Sequence, residues 1–204
     1  MIGIIDYGMG NTASIANMIR KAGGESIIAT ERADLERAET LILPGVGAFD
    51  NAVSRLRERG WIEILLDHVA ASKKLVGICL GMQLLFQSSQ EGALPGLGLI
   101  EGNVQRFVFG PESVPTLKIP HMGWNTVDFA RSHFLSAGYS EKPRFYFVHS
   151  FHAVCTNDSD IVATADYGYP FSCVVERENV LGVQFHPEKS HAFGLQLFKN
   201  LLDR

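Results

Sequence analysis

Two short segments carry residue types that can do covalent chemistry together. The first is Gly77-Ile78-Cys79-Leu80-Gly81, set between the apolar pair Leu75-Val76 and a helical stretch, Met82 to Phe86. Glycines two residues either side of a nucleophile permit a sharp turn from strand into helix, which pushes the side chain out at the carboxyl edge of a sheet. Here that side chain is a thiol, and the positive end of a following helix favours its thiolate. The second segment is Gln184-Phe185-His186-Pro187-Glu188. Pro187 biases His186 toward extended backbone, where residues two apart point the same way, about 6.6 Å apart. A carboxylate on one imidazole nitrogen fixes the tautomer and leaves the other nitrogen free to take a thiol proton. Each segment also has a plainer reading: a cysteine packed in the core, and a strand ending in a solvated His-Pro-Glu turn. Their joint presence favours a Cys79–His186–Glu188 triad, because a free thiol is only a few per cent ionised near neutrality and needs a base.

The elements that must position these residues are legible in the first half of the chain. Ile2 to Ile5 reads as a buried strand, and Ile15, Met18, Ile19 and Ala22 fall on one helical face ended by Gly23-Gly24. Ser26 to Thr30 and Thr40 to Leu43 are the next strands, the latter running into Pro44-Gly45-Val46-Gly47. Two helices follow, one with Phe49, Val53 and Leu56 inward, the other with Ile62, Leu65, Leu66 and Val69. Strands alternating with helices imply crossovers and a largely parallel sheet, with ligands at the carboxyl ends of its strands. Both Pro44–Gly47 and Gly77–Gly81 fall at that edge. The second half reads differently: Asn103–Phe109, Gly123–Phe129, Phe145–Phe151, Ile161–Ala165, Phe171–Glu176 and Asn179–Phe185 look like strands with few helices between. They predict an antiparallel or mixed extension with a hairpin turn at Glu178-Asn179. A last helix carries Phe193, Leu197 and Leu201.

Bulk properties narrow the function. A length of 204 residues fits one domain, 1–204, with 46% hydrophobic and 20% charged residues. The formal net charge of −4, without Lys/Arg runs, argues against a nucleic-acid partner. The start has no basic n-region, and no apolar stretch approaches membrane-spanning length, so a cytoplasmic protein is expected. The three cysteines, at 79, 155 and 173, lack Cys-x-x-Cys spacing, which suggests a reducing compartment and neither a disulfide framework nor a structural zinc. His149 with His152 is a poor metal signature by itself. No cofactor or metal is expected. One motif points elsewhere: Gly8-Met9-Gly10-Asn11-Thr12-Ala13 fits Gly-x-Gly-x-x-Gly/Ala, with Glu31 where a ribose-binding acid would stand. It supports a dinucleotide-dependent oxidoreductase as an alternative. Asp6 immediately before the loop opposes a pyrophosphate, and this reading leaves the triad residues unexplained.

Gly-Ile-Cys-Leu-Gly-Met-Gln, residues 77–83, resembles the nucleophile elbow of the class I (triad-type) glutamine amidotransferases. Gly-Val-Gln-Phe-His-Pro-Glu, residues 182–188, resembles that family's His/Glu segment. Four further blocks resemble one branch of the family: residues 6–11, 44–49, 120–125 and 146–151. The resemblance implies a flavodoxin/Rossmann-like three-layer α/β sandwich, with a mostly parallel central sheet and a smaller antiparallel extension. It implies hydrolysis of glutamine through a thioester on Cys79, with oxyanion donors from Leu80 and from Val46 or Gly47. By the same resemblance Gln83 binds the substrate, Glu91 meets its ammonium, and the Ser150–Phe151 backbone meets its carboxylate. Phe151 stands where the family more often has Tyr, so only a main-chain contact survives there. Ammonia released into water would be protonated, so a partner must collect it; the resemblance implies a (β/α)8-barrel cyclase subunit in a heterodimer. Its docking face is expected around Asn11 and at His121, Met122, Trp124 and Asn125. A stand-alone γ-glutamyl hydrolase or cysteine peptidase would keep the triad and need no such face. A catalytically silent binding subunit is disfavoured by the complete triad.

Overall fold

A computed structural model describes residues 1–110 and 117–203. The first half of the chain runs β1 (Ile2–Ile5), α1 (Thr12–Lys21), β2 (Ser26–Ala29), α2 (Arg32–Arg37), β3 (Thr40–Leu43), α3 (Phe49–Glu58), α4 (Trp61–Ala70), β4 (Lys74–Ile78) and α5 (Leu80–Leu84). The second half is nearly all strand: β5 (Phe86–Ser89), β6 (Ile100–Arg106), β7 (His121–Thr126), β8 (Asp128–Phe129), β9 (Arg144–His149), β10 (Phe151–Cys155), β11 (Ile161–Asp166), β12 (Pro170–Arg177) and β13 (Val180–Val183), closed by α6 (His191–Leu202). Strands β2-β1-β3-β4-β13 lie side by side and parallel, the order of a doubly wound sheet. The sheet continues antiparallel through β12, β10 and β6, while β7 and β9 form a separate antiparallel pair.

The apolar strands make sense because both faces of this sheet are covered. Ile5, Leu41, Leu43 and Leu75 enter one core with Phe49, Leu56, Trp61 and Leu65 of α3 and α4. Ile2, Ile4, Ile42, Val76 and Ile78 enter another with Ile15 and Ile19 of α1 and Leu197 and Phe198 of α6. The period-two alternation of each strand thus feeds two cores, giving three layers. The predicted hairpin is present: Arg177 pairs with Val180, and Glu178 takes a left-handed φ of 54°.

Four local expectations are corrected. Helix α4 turns Trp61, Ile64, Leu65 and His68 inward, and Leu66 is exposed, because counting the face from Trp61 rotates it by one position. The helix after Cys79 spans Leu80–Leu84, and Phe86 starts β5, paired parallel with β6. An apolar run of that length is ambiguous between helix and strand, and pairing decides it. Phe145–Phe151 is two strands: β9 pairs with β7, and after Ser150 the chain joins the main sheet as β10 beside β6. Finally, the second strand stops at Ala29 rather than Thr30, and Glu31 caps α2, with its backbone N–H donating to Asp34 Oδ2 at 3.3 Å.

Candidate active site

Cys79 sits between the end of β4 and the start of α5 with φ 56° and ψ −111°, a conformation that non-glycine residues rarely adopt. The surrounding backbone over-determines it. Cys79 N–H donates to Val183 O at 2.8 Å, tying the turn to the end of β13. The two flanking glycines are there for close approach. A Cβ on Gly81 would stand 1.8 Å from Leu43 O, and one on Gly77 would stand 2.5 Å from Gly81 O. No side chain fits at either place, so the elbow can only be built with glycine.

His186 follows β13 in extended backbone, φ −101° and ψ 92°, as Pro187 predicts. Its N–H donates to Tyr146 O at 2.8 Å, and Ser190 Oγ donates to its carbonyl at 2.6 Å. Glu188 reaches His186 from a 3-10 turn, Pro187–Lys189, rather than along a strand. The result is the expected contact: His186 Nδ1 lies 2.8 Å from Glu188 Oε1, with both side chains at most 2% exposed. Burial disfavours a charged imidazole, but Cys79 and Glu188 outweigh it and push the His186 pKa up to about 10. Nε2 makes no aligned hydrogen bond to a described residue. It remains the ring's free nitrogen.

The cleft in front of Cys79 has a volume of about 290 Å³. Val46, Gly47, Leu80, Gln83, Glu91, Ser150, Phe151 and His186 all line it, so the residues expected at the oxyanion and substrate positions converge. Gly47 has a left-handed φ of 106°, and Val46 is 44% exposed, leaving this loop open to the cleft. Glu91 Oε2 accepts from Phe49 N at 3.0 Å; burial raises its pKa, and the Phe49 bond opposes that. Three contributors escaped the sequence reading. Buried Tyr7 donates to Pro44 O at 2.8 Å and holds the base of the glycine loop. Gln184 accepts from Gln83 Nε2 at 3.1 Å and donates to Cys79 Sγ at 3.8 Å. His149 joins Pro120 and Val148 in the cleft wall. Gln184 was visible inside the His/Glu motif; Tyr7 and His149 gave no signal beyond their motif blocks.

The glycines of residues 8–13 have a structural use. A Cβ on Gly10 would meet Pro44 Cβ at 2.8 Å, and Met9 packs under Gly47. The loop thus approaches its neighbour loop closely, which accounts for the dinucleotide-like pattern. Of the expected docking residues, Met122 and Trp124 are 62% and 46% exposed on β7, and Trp124 stacks on His191 with ring centroids 5.4 Å apart. Asn11 and Asn125 are half-buried, and His121 is buried, its ring stacked on Phe147 and Tyr167. His121 therefore lies beneath that face rather than on it. Cys155 and Cys173 are free thiols whose pKa burial raises, Cys155 to about 11. Among the described residues no cluster of three His, Cys, Asp or Glu could hold a metal, and no helix is long and apolar enough to cross a membrane.

The profile of the family described as Glutamine amidotransferase class-I matches residues 3–203. The imidazole glycerol phosphate synthase subunit HisH 2 of Pseudomonas aeruginosa is 47% identical over 204 residues, covering 100% of this chain and 99% of that one. HisH 2 of Methanococcus maripaludis is 48% identical over 203 residues, covering 99% and 98%. Among solved structures, PurLQS from Thermotoga maritima superposes with a TM-score of 0.75 over 99% of this chain and 97% of that chain, at 19% identity. A solved glutamine amidotransferase gives 0.72 over 97% and 98%, at 20% identity. These last two bear on the fold alone, whereas the family match and the full-length relatives bear on descent. The chain belongs to the class I glutamine amidotransferase family, on the branch of the HisH subunits.

Proposed function

We propose that this chain is the glutaminase subunit of an imidazole glycerol phosphate synthase in histidine biosynthesis. The observation that carries the reading is the strained Cys79 elbow opposite a His186–Glu188 pair, in a chain 47% identical to a HisH subunit over its whole length. Cys79 Sγ attacks the side-chain amide carbon of glutamine after its proton passes to His186 Nε2. His186 returns that proton to the departing nitrogen, which leaves as ammonia, and a glutamyl thioester remains. Water, deprotonated by His186, then releases glutamate and restores the thiol. Glu188 holds the ring through Nδ1 and supports the imidazolium that forms in each half-reaction.

Each half-reaction also develops an oxyanion, which needs preplaced donors. Leu80 N–H, directly after the nucleophile, and an amide of the Val46–Gly47 loop take this role. Gln83, Glu91 and the Ser150–Phe151 main chain bind the amino-acid end of the substrate. Phe151 O already accepts from Gln83 Nε2 at 3.1 Å, which ties Gln83 to this stretch of main chain, and a carboxylate here would have to be met by N–H groups.

The ammonia passes to a cyclase subunit, a (β/α)8 barrel, which forms imidazole glycerol phosphate and an aminoimidazole carboxamide ribonucleotide. That subunit docks on Met122 and Trp124 of β7, with Asn11 and Asn125 at the margin. Residues 1–204 act as one domain of a cytoplasmic heterodimer. The test is glutamate release by this chain alone and with the cyclase plus its nucleotide ligand. Low activity alone, a large rise with the liganded partner and none in Cys79→Ala support the proposal. Full activity indifferent to the partner would instead favour a free-standing γ-glutamyl hydrolase.

A further inference from the structure

The geometry points to His149 as a positioning residue of this glutaminase site, fixed as the Nδ1–H tautomer by Phe151 O and joined through its Nε2 to His121 and Asn125 of β7, so that docking strand and nucleophile share one hydrogen-bond line. The inference rests on the glutaminase reading and names a control element within it. The line can be followed proton by proton. Phe151 O can only accept, so His149 Nδ1, 2.7 Å away, must carry the hydrogen. A neutral ring then has Nε2 as an acceptor, and what stands 3.0 Å from it is His121 Nδ1, which must therefore donate. His121 Nε2 is left to accept, and Asn125 Nδ2 lies 3.3 Å from it. The Asn125 amide cannot be flipped: its Oδ1 accepts from Thr126 N at 2.8 Å, and its Nδ2 donates to Asp166 O at 2.7 Å. Every proton is assigned without a free choice.

The same line continues on the other side of the carbonyl. Phe151 O accepts a second bond, from Gln83 Nε2 at 3.1 Å. The other proton of that amide goes to Gln184 Oε1 at 3.1 Å, and Gln184 Nε2 donates to Cys79 Sγ at 3.8 Å. With both of its N–H groups committed, Gln83 has Oε1 left to offer the substrate's N–H groups. The scheme requires both histidines to be neutral. Burial holds them so, pushing His121 down to about 4 and His149 down to about 3. The plain alternative is packing, since both rings lie among Phe107, Phe147 and Phe171. Packing would account for flat rings, but it has no use for donors that run in one direction from Asn125 through His121 and His149 to Phe151 O.

Nitrogen-15 NMR of histidine-labelled protein reads the tautomers directly and needs no activity. His121 and His149 are expected as neutral Nδ1–H rings at pH 7; an Nε2–H ring or an imidazolium at either position would overturn the assignment. In Asn125→Ala both rings should stay Nδ1–H, because Phe151 O fixes the line from its other end, while the Nε2 resonance of His121 moves toward that of an unbonded acceptor; an unchanged His121 Nε2 resonance would remove the docking strand from the line. In the complex with the cyclase, His149→Leu should lower kcat/KM for glutamine about tenfold, the scale of one lost hydrogen bond, while His149→Asn, which keeps a donor near Nδ1, restores most of it. Equal activities in the two variants mean packing only and overturn the proposal. Glutaminase activity surviving in Cys79→Ala would sink the underlying function instead, and it would leave the tautomer result standing.

Discussion

Replacing Gly81 by alanine should collapse the turn that presents Cys79. The added Cβ would lie 1.8 Å from Leu43 O, where real contacts of this kind do not fall below 3.0 Å, so the two backbones must part by more than an ångström. Neither can do so cheaply. Leu43 belongs to β3, held by β1 on one side and β4 on the other, and Gly81 O already abuts Gly77. Overpacking against fixed backbone, with the strained Cys79 geometry lost as well, costs about 3 kcal/mol or more, a large share of a typical domain's stability. Gly110→Ala is the control, because a Cβ there meets no described residue within 4 Å, and it should be neutral within about 0.5 kcal/mol. Urea unfolding measures the stability, and the rate of Cys79 alkylation by iodoacetamide measures whether the thiol is still presented. A Gly81→Ala protein as stable as the control, with unchanged alkylation, would refute the close-packed elbow.

Glu188→Gln keeps an acceptor for His186 but removes the charge supporting its imidazolium; glutamine turnover should fall at least about a hundredfold. Because Glu188 helps raise the His186 pKa, the high-pH limb of Cys79 alkylation should move to lower pH in that variant, as a stopped-time pH series would show. Acid should destabilise the protein through His149. Its folded pKa of about 3 lies below the ordinary 6.5, so the unfolded chain binds more protons between these values and stability falls as pH drops below 6.5. The slope approaches about 1.4 kcal/mol per pH unit for that one group, and His149→Asn should remove it from urea midpoints taken at pH 7 and pH 5. Phe151→Tyr should leave KM for glutamine within about twofold, because the hydrogen bonds from Gln83 and His149 reach this residue at its carbonyl, while its ring lies under Arg106.

The first half of the fold was legible because its signals are local: buried strands of period two, helices of period 3.6, and glycines where the chain must turn. The local geometry of the proposed triad was legible for a similar reason, since the Cys79 turn depends on neighbours two residues away and the His186 backbone on Pro187 and Glu188. What escaped depends on pairing across the molecule. Phe86 reads as helix until β6 claims it, and Ser150 gives no sign that the strand before it and the strand after it belong to different sheets. The same is true within the site. Gln184 finds Gln83 across 101 residues of sequence, Tyr7 finds Pro44 across 37, and neither distance leaves a periodic trace. The Gly8–Ala13 pattern shows the converse risk. Its glycines signal close backbone approach correctly, but what approaches is the Pro44 loop rather than a phosphate.

The covalent intermediate is the central claim, and acid-quenched mass spectrometry of the protein turning over glutamine with its cyclase partner tests it most directly. A glutamyl adduct on the peptide containing Cys79, absent from those containing Cys155 and Cys173 and absent in Cys79→Ala, is the predicted result. Glutamate release without any such adduct, or undiminished release by the Cys79→Ala protein, would contradict it.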